Sequence, residues 1–144
     1  MKLIEPQSQE DFDRYFRLRY EVLRKPWNQP FESVKDELED QSVHAMITDD
    51  AGNALGVCRM HFNNPEEAQL RFMGIKKEAR GLHLGKMLLE HFEAIAVKKG
   101  IKRIMLQSRE NAVLFYEKNG YSVREKSYLM WNLIQHYRMQ KDLI

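Results

Sequence analysis

Cysteine is nearly absent from this 144-residue chain, since Cys58 is the only one. A single cysteine excludes an intramolecular disulfide and a zinc site built from several thiolates. Cys58 lies in an apolar run, so we expect a buried structural thiol rather than a nucleophile. His44, His91 and His136 have no partner at metal-ligand spacing, and we therefore predict no metal site.

Long hydrophobic runs are also missing, because none approaches the roughly 18 residues that span a membrane. The first residues lack the apolar stretch of a secretory signal. We therefore expect no membrane partner and a cytoplasmic location. Repeats and Gly/Ser linkers are absent, which favours one domain over residues 1–144. Basic residues do not cluster with aromatic ones, so we predict no nucleic-acid partner.

Charge is unevenly distributed along the chain. Residues 1–50 contain seven basic and twelve acidic residues, a net charge of −5, whereas residues 51–144 carry a net charge of +7. This asymmetry is compatible with two kinds of ligand, one anionic and one cationic. Scatter of charge between solvated faces explains it equally well, so composition alone leaves both interpretations open.

Hydrophobic periodicity predicts eleven elements in the order β-α-α-β-β-β-α-β-α-β-β. An antiparallel meander is followed by a strand–helix–strand crossover. We therefore predict an α/β fold with a mixed, mostly antiparallel sheet and helices on both faces. The strands are predicted at residues 3–4, 43–48, 55–62, 68–75, 101–107, 121–126 and 134–143, and the helices at residues 10–24, 31–38, 84–99 and 110–118.

A loop segment (residues 80–86) joins a predicted strand to a predicted helix and contains two glycines and two cationic residues. Unpaired amides at a helix start, with the helix dipole and the charges of Arg80 and Lys86, suit a pyrophosphate group. Neither the P-loop nor the G-x-G-x-x-G pattern is present. A tight strand-to-helix turn that needs glycine only for its geometry remains the alternative.

An aromatic segment (residues 111–121, NAVLFYEKNGY) follows about thirty residues after the loop segment. By itself it indicates only a helix that ends at Gly120, with Phe115 and Tyr116 as possible core residues. In this order and spacing, however, the two segments together resemble the GCN5-related N-acetyltransferase (GNAT) superfamily. Residues 80–85, RGLHLG, are similar to its acetyl-CoA motif Q/R-x-x-G-x-G/A, with His83 in place of the middle glycine.

The resemblance implies a sheet that splays open and an acetyltransferase that uses acetyl-CoA as acyl donor. Tyr116 would be the general acid that protonates the departing thiolate. Asn111 would contact the cofactor, although an N-cap at the helix start is an alternative role for it. The residues implied to bind acetyl-CoA are Met73, Gly74, Ile75, Arg80, Gly81, Leu82, His83, Leu84, Gly85, Lys86, Asn111 and Phe115.

The general base and the acceptor site are less defined by the sequence. His61 and then Glu67 are candidate bases, with a surface histidine and solvated carboxylates as the alternative. Arg19, Arg24 and Trp27 are candidate acceptor contacts. Inward-pointing arginines would suit an acceptor with a carboxylate or phosphate, whereas acids facing the cleft, from residues 36–40, would suit a polyamine or a basic peptide.

The predicted function is acetyl transfer to a primary amine of a small molecule or peptide. Two alternatives stay open: an acyl-CoA binding or sensing module without turnover, and acyl transfer from a carrier-protein thioester. A homodimer is possible, because the tail around Tyr128, Met130 and Trp131 could supply an interface, although it could equally be a core strand.

Overall fold

Seven strands and three α-helices account for the hydrophobic pattern of the chain. The computed structural model describes residues 1–144. The strands form one sheet in the order β1-β2-β3-β4-β5-β7-β6. The elements are β1 (Lys2–Ile4), α1 (Gln9–Leu23), β2 (Val43–Thr48), β3 (Ala54–Asn64), β4 (Glu67–Ile75), α2 (Leu84–Lys98), β5 (Arg103–Arg109), α3 (Val113–Lys118), β6 (Ser122–Met130) and β7 (Ile134–Asp142).

The sheet is mixed, and most of its pairs are antiparallel. β2 pairs with β3, β5 with β7, and β6 with β7 in antiparallel register. β4 and β5 are parallel, from Glu67 opposite Arg103 to Leu70 opposite Leu106. A parallel pair needs a long crossover connection, and α2 supplies it. The predicted α/β fold with a mostly antiparallel sheet is confirmed.

The chain divides into two compact units. The first unit contains Met1–His61 and Phe72–Phe92, and the second contains Phe62–Arg71 and Glu93–Ile144. β3, β4 and α2 contribute residues to both units. The assignment of residues 1–144 to one functional domain stays a prediction. None of the helices is long and apolar enough to cross a membrane.

In the first unit, β3 is covered on both faces. Val57 packs with Tyr15 and Leu18 of α1 in a buried cluster. At the neighbouring Gly56, an added Cβ would lie 3.5 Å from a methyl group of Leu88, on α2. Successive strand residues point to opposite faces. α1 and the first turns of α2 therefore lie on opposite faces of β3, as the sequence predicts for the helices.

The prediction of a helix at residues 31–38 is wrong. Two short 3₁₀ turns, Phe31–Val34 and Glu39–Gln41, occupy this region instead. An α-helix would pair the carbonyl of Val34 with the amide of Leu38. The Val34 carbonyl instead accepts a hydrogen bond from Arg19 (2.7 Å), and the Leu38 amide donates to Oδ1 of Asp36 (2.9 Å). Side chains have thus replaced the helical backbone partners.

In the second unit, β6 is the last strand of the sheet order and its surface is mostly exposed. Tyr128 and Leu129 are 45% and 50% exposed. The tail around Tyr128 is therefore a surface strand rather than a core strand. The homodimer stays a prediction.

Candidate active site

The loop segment (residues 80–86) leads into α2 and exposes most of its side chains, whereas Leu84 is buried. Arg80, Leu82 and His83 are exposed, and so is Lys86 in the first helical turn. The first helical hydrogen bond runs from the amide of Met87 to the carbonyl of His83 (3.1 Å). The three amides before Met87 therefore have no partner within the helix, and the positive end of the helix dipole lies there. This geometry suits an anion such as a pyrophosphate.

Glycine-like backbone conformations shape the same segment. Gly81 has φ +89°, and an added Cβ there would meet no atom within 4 Å. The open space beside Gly81 fits a phosphate group approaching the backbone. His83, which departs from the resembled motif, also has a positive φ of +62°. The loop therefore keeps the conformation that a glycine would favour, and His83 bears a backbone strain of about 1 kcal/mol.

The end of β4 contains a feature that the sequence does not reveal. Phe72 has φ +60° although it lies inside a strand and is only 7% exposed. A positive φ turns the adjoining peptide planes away from the regular alternation of a strand. Positive φ is uncommon outside glycine, asparagine and aspartate, so a phenylalanine gives no sequence signal for it.

Gly74, predicted to let acetyl-CoA lie close to β4, has a different neighbour. A Cβ added at Gly74 would lie 3.3 Å from Cβ of Val22 and 3.6 Å from Cγ of Leu23, both on α1. The missing side chain is therefore explained by the close approach of α1 to β4. Main-chain contacts of Met73 and Ile75 with acetyl-CoA stay a prediction.

Two arginines of the first unit are completely enclosed. Arg19 and Arg59 have no exposed surface. Oε2 of Glu39 accepts from Nη1 of both, at 3.0 Å and 2.9 Å. Arg59 also donates to Oδ1 of Asp36 (2.6 Å). Such pairing is what makes a buried guanidinium tolerable.

A third arginine completes a group around the ring of Phe72. The guanidinium carbon of Arg19 lies 4.1 Å from the ring centroid, that of Arg59 5.0 Å and that of Arg24 5.5 Å. We call Arg19, Arg24 and Arg59 the arginine cage. Each lies within the range at which a cation is attracted to an aromatic ring.

The burial of these arginines bears on the predicted acceptor site, which stays a prediction. Arg19 is fully enclosed and Arg24 is only 5% exposed, because Arg24 donates to the carbonyls of Ser33 (3.2 Å) and Leu23 (3.0 Å). An enclosed side chain offers no surface to an acceptor, so direct binding by Arg19 is not supported. Trp27 is partly exposed, and its role stays a prediction.

His61 lies beside the arginine cage and is 7% exposed. Nη2 of Arg59 lies 3.2 Å from Nδ1 of His61. A guanidinium only donates, so Nδ1 accepts and the ring proton belongs on Nε2. His61 could accept a proton at Nδ1 only after releasing Arg59, which weighs against its predicted role as general base.

Glu67, in the second unit, is held by two neighbours. Nε of Arg103 donates to its Oε1 (3.0 Å) and Nδ2 of Asn63 to its Oε2 (2.9 Å). Burial alone would raise the pKa of Glu67, but these hydrogen bonds and the charges of Arg103 and Arg138 lower it. A carboxylate with a lowered pKa is a weaker base, so the contacts favour a structural role.

The aromatic segment (residues 111–121) ends α3 in a well-defined cap. The amide of Tyr121 donates to the carbonyl of Tyr116 (3.0 Å), and that of Gly120 to Glu117 (3.1 Å). With Gly120 at φ +94°, these two bonds form a Schellman motif. The requirements of this helix cap therefore account for the sequence Asn119-Gly120-Tyr121.

Tyr116 is buried in a group of rings, 9% exposed. Its ring centroid lies 5.0 Å from Phe115 and 5.9 Å from Tyr121, both in edge-on contact. The Tyr121 hydroxyl donates to Glu93 (3.0 Å). The group therefore fixes the Tyr116 ring by packing on its neighbours.

Arg109 was missed by sequence reasoning. Burial lowers the pKa of its guanidinium, whereas the nearby hydroxyls of Tyr128 and Tyr116, when ionised, would raise it. The same Coulomb interaction means that the positive charge of Arg109 stabilises negative charge on Tyr116. Arg109 ends β5 just before the aromatic segment, and nothing in that position marks it as functional.

Asn111 is exposed and lies in a 3₁₀ turn, Glu110–Ala112, that precedes α3. The N-cap residue of α3 is Ala112, without a side-chain cap bond. The alternative role of Asn111 as the N-cap of α3 is therefore wrong, and its contact with acetyl-CoA stays a prediction. Phe115 is partly buried against Tyr116, and its cofactor contact likewise stays a prediction.

Cys58, by contrast, is a fully buried side chain on β3. Burial raises the pKa of its thiol to about 12. The thiol is therefore protonated at neutral pH and is a poor nucleophile. This agrees with the structural role expected from the sequence.

Comparison with known proteins decides the family. The family model described as Acetyltransferase (GNAT) family matches residues 9–121, which include both the loop segment and the aromatic segment. The chain belongs to the acetyltransferase (GNAT) family. The predicted GNAT membership and the predicted N-acetyltransferase class of enzyme are thereby confirmed.

Relatives and solved structures agree with this GNAT assignment over the full chain. The uncharacterised N-acetyltransferase YjcF of Bacillus subtilis is 29% identical over 142 residues, covering 99% of this chain and all of YjcF. A solved structure from Lactobacillus plantarum, described as a putative N-acetyltransferase, superposes with a TM-score of 0.86 at 22% identity, covering 99% of this chain and 98% of that one.

An aminoglycoside 6'-N-acetyltransferase complexed with coenzyme A superposes with a TM-score of 0.83 at 16% identity, covering all of this chain and 98% of that one. At this low identity the likeness establishes the GNAT fold alone. In the aminoglycoside enzyme, a protein of this fold binds coenzyme A.

Proposed function

We propose that this GNAT enzyme transfers an acetyl group from acetyl-CoA to a primary amine by direct attack on the thioester. The observation that carries the proposal is the loop segment (residues 80–86). It combines amides without helical partners, open space beside Gly81 and the exposed charges of Arg80 and Lys86. The coenzyme A complex of the aminoglycoside enzyme supports a coenzyme A donor.

Acetyl-CoA supplies an acyl group that is activated as a thioester. The amides of Leu84, Gly85 and Lys86 bind its pyrophosphate, and the cations of the loop segment add attraction. The backbone of residues 72–75 lines the thioester arm through main-chain contacts. Backbone donors at such a strand bind a developing oxyanion without needing a particular side chain.

Tyr116 acts as the general acid. The departing thiolate has a conjugate acid of pKa about 8.5, by analogy with cysteine, and a phenol of pKa about 10 can donate a proton to it or hold it. Arg109 assists because its positive charge stabilises the phenolate that remains on Tyr116. The burial of the Tyr116 ring keeps the hydroxyl in one place.

The amine must lose a proton before or during attack. At pH 7 only about one in two thousand molecules of a lysine-like amine is uncharged. His61 is held by Arg59 and Glu67 by Arg103. We therefore propose that attack draws on the small uncharged fraction of the amine, with His61 and Glu67 in supporting structural roles.

A cationic acceptor is favoured over an anionic one. The arginine cage is already paired or enclosed, so it offers no open cation to a carboxylate or phosphate. The acidic segment (residues 31–40) instead exposes Glu32, Glu37 and Asp40 against a single exposed lysine, Lys35. Exposed carboxylates attract a positively charged amine.

One experiment tests the donor site directly. We expect acetyl-CoA and CoA to raise the melting temperature in a concentration-dependent manner, because a ligand that binds only the folded state stabilises it. Lys86→Gln should weaken this effect by about fivefold in apparent affinity, whereas Lys118→Gln, an exposed lysine at the end of α3, should leave it unchanged.

The absence of any shift with millimolar ligand would refute the coenzyme A site. A shift of equal size in Lys86→Gln would refute the assignment of the loop segment. CoA release from acetyl-CoA with a panel of primary amines then tests turnover.

A binding module without turnover is a second candidate. It is favoured by one observation, the engagement of both predicted bases by arginines. It predicts strong stabilisation by acetyl-CoA without amine-dependent CoA release. A carrier-protein donor would instead give acyl transfer from a phosphopantetheinyl protein and weak stabilisation by free acetyl-CoA.

A further inference from the structure

Phe72 combines an unfavourable backbone with an unusual environment. Its φ of +60° is disfavoured for a residue with a bulky side chain. Such a conformation persists only when the surroundings determine it, because a relaxed strand would be preferred otherwise. The question is therefore which contacts hold the backbone of Phe72 in this state.

The arginine cage supplies such contacts. Three guanidinium groups, those of Arg19, Arg24 and Arg59, lie within 5.5 Å of the ring centroid of Phe72. All three side chains are buried, and burial strengthens the attraction between a cation and the negative face of a ring. The ring is thus held electrostatically as well as by packing.

Hydrogen bonds to the acidic segment (residues 31–40) hold the arginine cage in place. Glu39 bridges Arg19 and Arg59 through one oxygen, and Asp36 accepts a second bond from Arg59. Arg24 donates to the carbonyl of Ser33. Arg19 and Arg59 pair with the carboxylates of Asp36 and Glu39, and the electron-rich ring of Phe72 adds a further electrostatic attraction for all three cations.

We propose that the arginine cage consists of positioning residues that hold the backbone of residues 72–75 in the conformation used to bind the thioester. This inference rests on the proposed function, which assigns those residues to the thioester arm. Arg19, Arg24 and Arg59 act through Phe72 and do not touch the donor. Through Arg19 and Arg59, Glu39 links the acidic segment, which is proposed to attract the acceptor, to the ring of Phe72.

The test replaces Phe72 by phenylalanine with increasing numbers of ring fluorines. Fluorination weakens and then reverses the negative face of the ring while changing its shape little. The same series at Phe92, a fully buried ring in edge-on contact with His91, is the matched control. Calorimetric affinities for acetyl-CoA and CoA are compared, together with the amide NMR signals of Met73 and Gly74.

At position 72 we expect acetyl-CoA affinity to fall stepwise, by about fivefold for the pentafluoro ring, since several cation–ring contacts are lost. CoA, which lacks the acetyl carbonyl, should lose less than about twofold, and the amide signals should move with the fluorine number. The Phe92 series should leave the ratio of the two affinities unchanged. A constant ratio and constant amide signals at position 72 would overturn the proposal.

Glu39→Gln gives a second test that keeps the ring intact. Removing the bridging charge should loosen the cage and lower the acetyl-CoA to CoA affinity ratio by about threefold. Glu21→Gln, an exposed carboxylate on α1 with no assigned role, is the matched control and should leave the ratio unchanged. Equal ratios in Glu39→Gln and in the unmodified protein would also count against the cage.

Ligand binding by the unmodified protein distinguishes failure of the proposed function from failure of the arginine-cage proposal. If the unmodified protein bound neither acetyl-CoA nor CoA, the donor site itself would be refuted, and with it the role given to the cage. Normal binding of both ligands by the unmodified protein, with no response to fluorination, would refute the cage alone.

Discussion

The loop segment and the aromatic segment reach their shapes by opposite means. In the loop segment the side chains of Arg80, Leu82 and His83 are exposed, and positive φ angles turn backbone groups outward. In the aromatic segment the ring of Tyr116 is buried, and the backbone is closed by the cap at Gly120. The first segment therefore presents its main chain to a ligand, and the second presents one fixed side chain.

This difference makes the two segments separable by mutation. A substitution in the loop segment changes groups that contact little of the protein, so it should alter ligand affinity more than stability. In the aromatic segment most substitutions remove packing or a cap and should alter stability. The hydroxyl of Tyr116 is the expected exception, because it lies at the tip of a ring that packing already holds.

The largest expected effect comes from Tyr116→Phe. Loss of the proposed general acid should lower kcat by about a hundredfold while the melting temperature changes little. Tyr121→Phe is the matched control, since it removes a hydroxyl that donates to Glu93 and should lower stability by about 1 kcal/mol with turnover retained. CoA release with an accepted amine, and thermal unfolding, measure both. Turnover within about twofold in Tyr116→Phe would show that another group protonates the thiolate.

Gly120→Ala and Gly81→Ala compare the aromatic segment with the loop segment directly, and we expect effects of intermediate size. Both glycines have positive φ, so each substitution should destabilise the protein by about 1 kcal/mol. Only Gly81→Ala places a methyl group in the open space of the loop segment, and it should weaken CoA binding by about tenfold. Denaturant unfolding and CoA titration separate the two effects. Equal CoA affinities in the two variants would contradict a phosphate site beside Gly81.

His83→Gly should give the smallest effect. Glycine removes the strain at φ +62° but also makes the unfolded chain more flexible, so stability should change by less than about 1 kcal/mol. CoA affinity should stay within about threefold, because the loop already has a glycine-like shape. A larger gain in affinity would show that the imidazole obstructs the ligand, and a larger loss would show that it contacts the phosphates.

The strands and the two motif segments could be predicted because their signals are local. All seven strands occur where hydrophobic periodicity places them, and Gly120 ends α3 as the Asn-Gly pair indicates. The order of the loop segment and the aromatic segment identified the GNAT family, which residues 9–121 confirm. These features depend on neighbours within about a turn or a strand in sequence.

What could not be predicted depends on partners distant in sequence. The helix expected at residues 31–38 is absent because Arg19 takes the carbonyl of Val34, fifteen positions away. Arg59 pairs with Asp36 and Glu39 across still longer separations of 23 and 20 positions. In a sequence, charged residues of this kind are most simply read as solvated, and only the fold shows them enclosed.

The base assignments illustrate the same limit. Alternation along β3 favours a common side for Val57, Arg59 and His61, but it does not reveal that Arg59 would hold Nδ1 of His61. Nor does it reveal the ion pair between Glu67 and Arg103. The chemical role of a titratable side chain depends on its partners, which periodicity does not supply.

The hydrogen bonds that join the acidic segment to the arginine cage involve none of its exposed side chains, and this has a consequence for divergence and engineering. The groups that accept these bonds are the carboxylates of Asp36 and Glu39 and the carbonyls of Ser33 and Val34, and the side chains of Ser33 and Val34 are not required for them. The exposed positions Glu32, Glu37 and Asp40 can therefore be varied together while the anchors stay. A library at these three positions would sample new acceptor preferences without redesigning the sheet.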